Sequence, residues 1–163
     1  MADITYIPTD EGWLYLAIIM DLYTHKIVGW YIDHRMTKEF VIIALLRALN
    51  NKKPTGRVIH HLDRESQYAS NGYQQLLQEY HFHVSMSRCG NCYDNACMES
   101  LHSLIKKECT DLNRFRTQKE AKQAIFEYIE CFYNRQRSHS ALCYVSPFEF
   151  EVAYHANQRK VAA

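Results

Sequence analysis

Residues 13 to 22, WLYLAIIMDL, restrict what this chain can fold into. Apart from Asp21 the stretch is apolar throughout, and such a run suits a β-strand buried on both faces. It sits between two turn signals, Asp10-Glu11-Gly12 before it and Tyr23-Thr24-His25-Lys26 after it. Ahead of the first turn, Asp3-Ile4-Thr5-Tyr6-Ile7 alternates polar and apolar residues and reads as a strand. Beyond the second, Ile27-Val28-Gly29-Trp30-Tyr31-Ile32 reads as a third. Links this short predict an antiparallel three-stranded meander.

A helix capped by Thr37 follows, with Phe40, Ile43, Ala44, Leu46, Ala48 and Leu49 marking its apolar face. Pro54 and Gly56 end it. Arg57 to Leu62 is short and β-prone and delivers Asp63 at its C-terminal end. Asn71 to Tyr80 reads as a helix with Tyr73, Leu76, Leu77 and Tyr80 on one side, and His81 to Ser85 as a strand. A polar loop, Ser87 to Asn91, then opens a helix bearing Asp94, Asn95 and Glu99. Thr117 opens a long helix through about Tyr133, and Pro147 starts a short last one. A meander followed by strand–helix units predicts a mixed five-stranded sheet flanked by helices, an order that suits the ribonuclease-H-like α/β fold. The expected division is one unit over residues 1–155 and a polar tail, 156–163, that frays.

Composition narrows the function classes. At 163 residues, 47% apolar and 23% charged, the chain is long enough for one domain with a real core. A net charge of +1 means that any basic, nucleic-acid-binding surface must be local. The apolar run from Leu14 to Met20 is too short to span a bilayer, so no membrane role is expected. The start, MADITYIPTD, lacks a signal pattern. Six irregularly spaced cysteines then point to free thiols in a reducing cytoplasm.

Chemistry centres on three acids. Asp3 lies on the first strand, Asp63 ends the fourth and Glu99 rides a helix, with 35 positions, 64 to 98, between the last two. Each alone reads as an ordinary surface acid. Converging, they would form an oxygen-donor set suited to Mg²⁺, and two such ions can hold the attacking and leaving oxygens of an in-line phosphoryl displacement. Cys89 and Cys92, with Cys97 nearby, resemble half of a zinc site, but a structural zinc needs four ligands and no second pair is present. No environment singles out one thiol as a nucleophile.

The words DITYIPTDEGWLYLAIIMDLYTHKIVGW, HHLDRESQY, SMSRCGNCYDNACMES, LIKKE and YIECFYNRQRSHSALCYVSPFEF occur in this order. Together they closely resemble the catalytic part of insertion-sequence transposases of the second-frame (OrfB) type, with a retroviral-integrase-like core, over roughly residues 3 to 150. The resemblance puts the family's catalytic acids on Asp3, Asp63 and Glu99, and implies a site binding two divalent ions, Mg²⁺ with Mn²⁺ as substitute. It implies cleavage of the element's end by water, then joining of the 3′-hydroxyl to another DNA phosphodiester. The expected partners are DNA, as element ends and target, and further copies of the chain or full-length transposase. The expected location is the bacterial cytoplasm, at the nucleoid when bound to DNA.

On that reading neighbouring residues acquire roles. Asn95, four residues before Glu99, shares its helix face and would orient Glu99 or contact DNA. Lys106, seven residues after Glu99, would meet a phosphate. Arg135, Arg137 and His139, beside Tyr133 and Asn134, resemble the family's YN-x-x-R-x-H word and would touch the DNA backbone or support the site. Two departures stand at the second acid, where the family usually reads HSDRGSQY: Leu62 replaces serine and Glu65 replaces glycine. Leu101-His102 stands where an aromatic pair is typical. The family's upstream DNA-binding region is expected to be absent. That supports an alternative in which the chain is an inactive, truncated remnant acting as a dominant-negative partner of the full-length enzyme. A stand-alone ribonuclease-H-type nuclease is a third reading.

Overall fold

The computed structural model describes residues 1–54, 56–63, 65–86 and 95–161. The polar loop expected at Ser87 to Asn91, Cys89 and Cys92 with it, and Asp94 lie outside these residues. β1 (Ala2–Thr9), β2 (Gly12–Met20) and β3 (Ile27–Asp33) form the antiparallel meander that the short links predict. β4 (Ile59–Leu62) and β5 (His83–Met86) extend the sheet on the other side of β1 as parallel strands. The result is a mixed five-stranded sheet in the order β3-β2-β1-β4-β5.

The apolar run does what its composition demands. Side chains alternate along a strand, so Leu14, Leu16, Ile18 and Met20 of β2 enter one core while Ala17 and Ile19 enter the other. The first core is closed by α3 (Ala96–Ile105) and α4 (Gln118–Phe126), through Met98, Leu101, Ile105, Ala121 and Ile125. The second is closed by α1 (Lys38–Lys52) and α2 (Asn71–Glu79), through Phe40, Leu45, Tyr73 and Leu77. α3 continues into a π-helical turn, Lys106–Thr110, and α4 into another, Glu127–Tyr133. Thr117 caps α4 in a reciprocal capping box with Glu120. Among the described residues no helix is long and apolar enough to cross a membrane.

Three local expectations are corrected. The buried face of α1 is Phe40, Val41, Ala44, Leu45, Ala48 and Leu49, whereas Leu46 is exposed and Ile43 half-buried. Either stripe satisfies a helical period, and contact with β3 decides between them. A methyl group on Gly29 would lie 2.4 Å from the Ala44 carbonyl oxygen and 2.6 Å from Ala48 Cβ, so the helix backbone seats directly on the strand at Ala44 and Ala48. Thr37 precedes α1 without a side-chain capping bond. The third correction concerns the last helix: α5 (Pro147–Val161) runs for 15 residues where the sequence predicts a short helix. Ser146 and Glu149 cap its start reciprocally, at 2.9 Å and 3.3 Å. Glu151 then binds Lys26 and Lys52, and Tyr23 packs on Phe150 and Tyr154.

β3 is an edge strand, and α1 covers it. Asn51 Nδ2 donates to the Val28 carbonyl at 2.9 Å and Arg47 Nη1 to the Trp30 carbonyl at 3.1 Å. These are alternate residues, so acceptors that an edge would offer to another strand are already engaged. The close seat of α1 on Gly29 sets the first prediction. Gly29→Ala forces helix and strand apart and should destabilise the chain by about 3 kcal/mol in urea unfolding, at the upper end of overpacking costs. A change below about 0.5 kcal/mol would mean that α1 is free to shift.

Candidate active site

Two neighbouring strands bring the first two acids together. Ala2 and Ile4 of β1 face the α1 layer, so Asp3 between them faces α3. Leu62 pairs with Ala2 across the parallel β1–β4 contact, which sets Asp63 beside Asp3. Each carboxyl group acts on the proton affinity of the other. Asp3 Oδ1 also accepts from the Ile4 amide at 2.8 Å, and Asp63 Oδ1 from the Glu65 amide at 3.0 Å.

The third acid stands apart. Glu99 is on the first turn of α3, exposed to solvent, and reaches Asp3 through its charge. Among the described residues no three His, Cys, Asp or Glu side chains are placed to hold one metal ion. The structure thus unites Asp3 and Asp63 and leaves Glu99 at the rim. Asn95 makes a contact that its spacing does not predict. It is the residue just before α3, and its Nδ2 donates to Asp3 Oδ2 at 2.7 Å, so it orients Asp3.

The electrostatics are those of crowded acids. Burial, then the charge of Glu99, holds Asp3 above the usual carboxylate range despite its hydrogen bonds. Burial and the neighbouring Asp3 push Asp63 up to about 6. Glu65 is pushed up to about 7, by burial first and then by Asp63 and Asp3. It therefore forms part of the acidic cluster. His102 Nδ1 lies 3.8 Å from Asp3 Oδ2, and burial holds its pKa down at about 4, so its ring is neutral at pH 7. Within this small volume Glu65 Oε2, Asn95 Oδ1, His102 Nε2 and the Tyr68 hydroxyl are buried without a protein partner. His102 could have been singled out in advance, because it follows Glu99 by three residues and so shares its helix face. Asn95's partner, 92 residues away, gives no such local signal.

The basic residues divide into two kinds. Lys106 is exposed one turn beyond His102, with its ammonium 5.7 Å from the Tyr6 ring centroid. Arg135 is exposed and lies over the Phe148 ring at 5.6 Å. Arg137 is held internally by a two-pronged contact with Glu108, Nε to Oε2 at 2.8 Å and Nη2 to Oε1 at 2.7 Å. The Tyr128 hydroxyl donates to the same carboxylate at 2.8 Å. His139 is buried against the Tyr133 ring, and burial keeps it neutral with a pKa of about 4. Asn134 pairs with both backbone groups of Ile27, at 3.0 Å each. This basic word therefore ties the second π-helical turn to the start of β3 and to Glu108.

Oxygen donors, a neutral imidazole and an unpartnered amide oxygen form a set that suits a hard, hydrated divalent cation. Mg²⁺ needs only one or two protein carboxylates when water and substrate phosphates supply the rest. Asp3 and Asp63 would hold it, Asn95 would keep Asp3 aligned, and a charge-neutralising cation would relieve the crowding.

Comparison with known proteins gives this arrangement a context. An insertion element IS600 31 kDa protein of Shigella sonnei is 49% identical over 155 residues, which are 95% of this chain and 57% of that protein. The transposase for insertion sequence element IS904 of Lactococcus lactis is 46% identical over 151 residues, 93% of this chain and 60% of that protein. The chain thus spans a little over half the length of these relatives. In three dimensions it is similar to the simian T-cell lymphotropic virus intasome (TM-score 0.72, 16% identity, covering 91% of this chain and 52% of that one). It is also similar to the HTLV-2 integrase catalytic core domain in complex with magnesium (TM-score 0.67, 14% identity, 91% and 92%). These likenesses establish the ribonuclease-H-like fold of retroviral integrase cores. Family models described as integrase core domain match residues 1–92 and 80–147, and the chain belongs to the integrase core domain family.

Proposed function

We propose that this chain is the catalytic core of a DNA transposase, cutting and joining phosphodiester bonds with divalent metal ions held by Asp3, Asp63 and Glu99. The observation that carries this reading is the buried Asp3–Asp63 pair at the β1–β4 contact, with Asn95 and His102 against it. The magnesium complex of the structurally similar HTLV-2 core and the transposase named among the relatives support it. Two ions are expected, Mg²⁺ with Mn²⁺ as substitute. When bound they supply Lewis-acid stabilisation of the attacking and leaving oxygens. Asp3 and Asp63 bind at the sheet, Asn95 keeps the Asp3 carboxylate turned towards the site, and Glu99 approaches from the rim of α3. Lys106 and Arg135, both exposed, meet backbone phosphates of element-end and target DNA, while Arg137 and His139 support the site from within. Further copies of the chain or a longer transposase would complete the assembly on DNA.

A second reading is an inactive partner of an active transposase. Glu65 favours it, because a half-buried third carboxyl beside Asp63 adds negative charge where phosphates would approach. Incubation with labelled element-end DNA and Mn²⁺ separates the two. The enzyme reading predicts metal-dependent nicking, lost below detection in Asp63→Asn and reduced about 10–100-fold in Asn95→Ala, the usual effect of removing a residue that orients a metal ligand. No nicking, together with no stabilisation by divalent ions against heat, would sink it. Cleavage of RNA–DNA hybrids in preference to duplex ends would replace it with a ribonuclease-H-type activity.

The crowded acids also set a pH dependence. A carboxyl with a higher pKa folded than unfolded costs stability as pH rises from about 4, its unfolded value, through its folded value. Asp63 and Glu65 behave this way, with folded values of about 6 and about 7. Buried His60, His102 and His139, lowered to about 3, about 4 and about 4, act oppositely and add stability as pH climbs towards about 6.5. A difference measurement removes the histidines. Glu65→Gln should be more stable than the parent at pH 8 in metal-free urea unfolding, and the advantage should vanish at pH 4. An equal difference at both pH values would show that Glu65 does not ionise against the pair.

A further inference from the structure

An exposed aromatic pair stands on the strand that carries Asp3. Tyr6 and Trp13 are 57% and 56% exposed, and neither belongs to the two cores. Tyr6 lies opposite Tyr15 and Trp13 opposite Pro8 across the β1–β2 pair. The two rings are therefore diagonal neighbours on one face of the sheet, within reach of each other. Their centroids are 5.8 Å apart and their planes meet at 90°, so they form a corner open to solvent.

The corner adjoins the acid pair. α3 runs alongside β1: His102 Nδ1 is 3.8 Å from Asp3 Oδ2, and four residues on the Lys106 ammonium is 5.7 Å from the Tyr6 ring centroid. Among the described residues that ammonium has no carboxylate partner. Tyr6 follows Asp3 by three residues, about 10 Å along the strand, which a DNA strand covers in about three nucleotides. Among the described residues β4 pairs with β1 at Ala2 alone, so the edge of β1 beyond Asp3 carries no strand. The Ile4 amide is taken by Asp3 Oδ1 at 2.8 Å. Bonding direction alternates along a strand, so Tyr6 and Pro8 turn their backbone groups towards the same edge. Proline has no N–H, which leaves the Tyr6 amide as the donor presented there. The acids of the nearby turn are engaged: Asp10 accepts from Arg114 Nε at 3.2 Å and Glu11 from the Gln118 amide at 2.7 Å.

These features specify a nucleotide. In a corner of two perpendicular rings a flat base stacks on one and abuts the other. A duplex covers the faces of its bases with neighbouring pairs, so the base must be unpaired to enter. Lys106 and the Tyr6 amide supply a cation and an N–H for the adjoining phosphate. An apolar peptide would cover the rings and leave both donors without an acceptor.

We propose that Tyr6, Trp13 and Lys106 seat an unpaired nucleotide of the DNA that is cut, with its base in the aromatic corner and its phosphate at Lys106 and the Tyr6 amide. This rests on the reading of the Asp3–Asp63 pair as a DNA-cutting site. It adds what the site selects: a DNA end with unpaired bases over one that is fully paired.

The test reads binding without cleavage, by fluorescence anisotropy of labelled DNA in metal-free, low-salt buffer. The probes are a blunt duplex, the same duplex with a short single-stranded extension of either polarity, and the extended duplex with abasic sites in the extension. At least one extension should bind about fivefold or more tighter than the blunt duplex, the effect of stacking one base, and the abasic form should lose that gain. Tyr6→Ala and Trp13→Ala should each abolish the gain with the melting temperature unchanged, and Tyr6→Phe should keep it. Lys106→Ala should weaken binding of the extended duplex and reduce its salt dependence by about one ion. The chain has two tryptophans, and Trp30 is buried with its indole N–H on Glu130, so the extension should quench the emission of Trp13. Equal affinity for blunt and extended duplexes overturns the proposal, as does a gain that survives Tyr6→Ala and Trp13→Ala or the loss of the bases, or no binding at all. Nicking in Mn²⁺ is scored separately. Preference for the extension without nicking retires the DNA-cutting reading and keeps the seat, and nicking without the preference does the reverse.

Discussion

The parallel contact between β1 and β4 is one register pair long, Ala2 opposite Leu62, and the chemistry of the molecule hangs on it. β1 is held firmly on its other side, where it pairs with β2 from Ala2 to Thr9. β4 is held by β5 over four residues. The junction between these two halves of the sheet is where Asp3 and Asp63 are pressed together. Two carboxyls so placed cannot both ionise without cost, and the structure answers with an amide from Asn95 and a neutral His102. The site is thus an electrostatic load at the narrowest seam of the sheet. A cation would convert it from a liability to a cross-link.

Much of the architecture was legible because it rests on local rules. The apolar run of β2 announced a strand with core on both sides, and short links announced the meander. Gly29, which reads only as part of the third strand, proved to be the seat of α1 at Ala44 and Ala48. Asp63 at the end of a short β-prone segment pointed to a strand terminus. The side of α1 that is buried was not legible, since Ile43 and Leu46 satisfy the helical period as well as Val41 and Leu45 do. Only the seat on Gly29 chooses between them. The length of the last helix was hidden for the same kind of reason: Glu151 within it is fixed by Lys26 and Lys52, which lie more than 95 residues away.

The candidate site shows the same division. The types and spacing of Asp3, Asp63 and Glu99 carried the metal-site idea, and the structure joins the first two while Glu99 remains on the rim. What Asn95 and Arg137 do depends on partners that the sequence does not bring near. Asn95 reads as a neighbour of Glu99 along the helix, yet it bonds Asp3 across the fold. Arg137 reads as a free cation in a basic word, yet Glu108 and Tyr128 enclose it. Glu65 differs again: its sequence position flagged it as a departure from the family's pattern, and its burial against Asp63 gives that departure a physical consequence.

The central claim is that the Asp3–Asp63 pair is a cation site. The most direct measurement is a crystal of the chain soaked in Mn²⁺ and recorded at the manganese absorption edge. The account predicts an anomalous peak in contact with the carboxylates of both Asp3 and Asp63. Manganese bound elsewhere, or none at all, would contradict it.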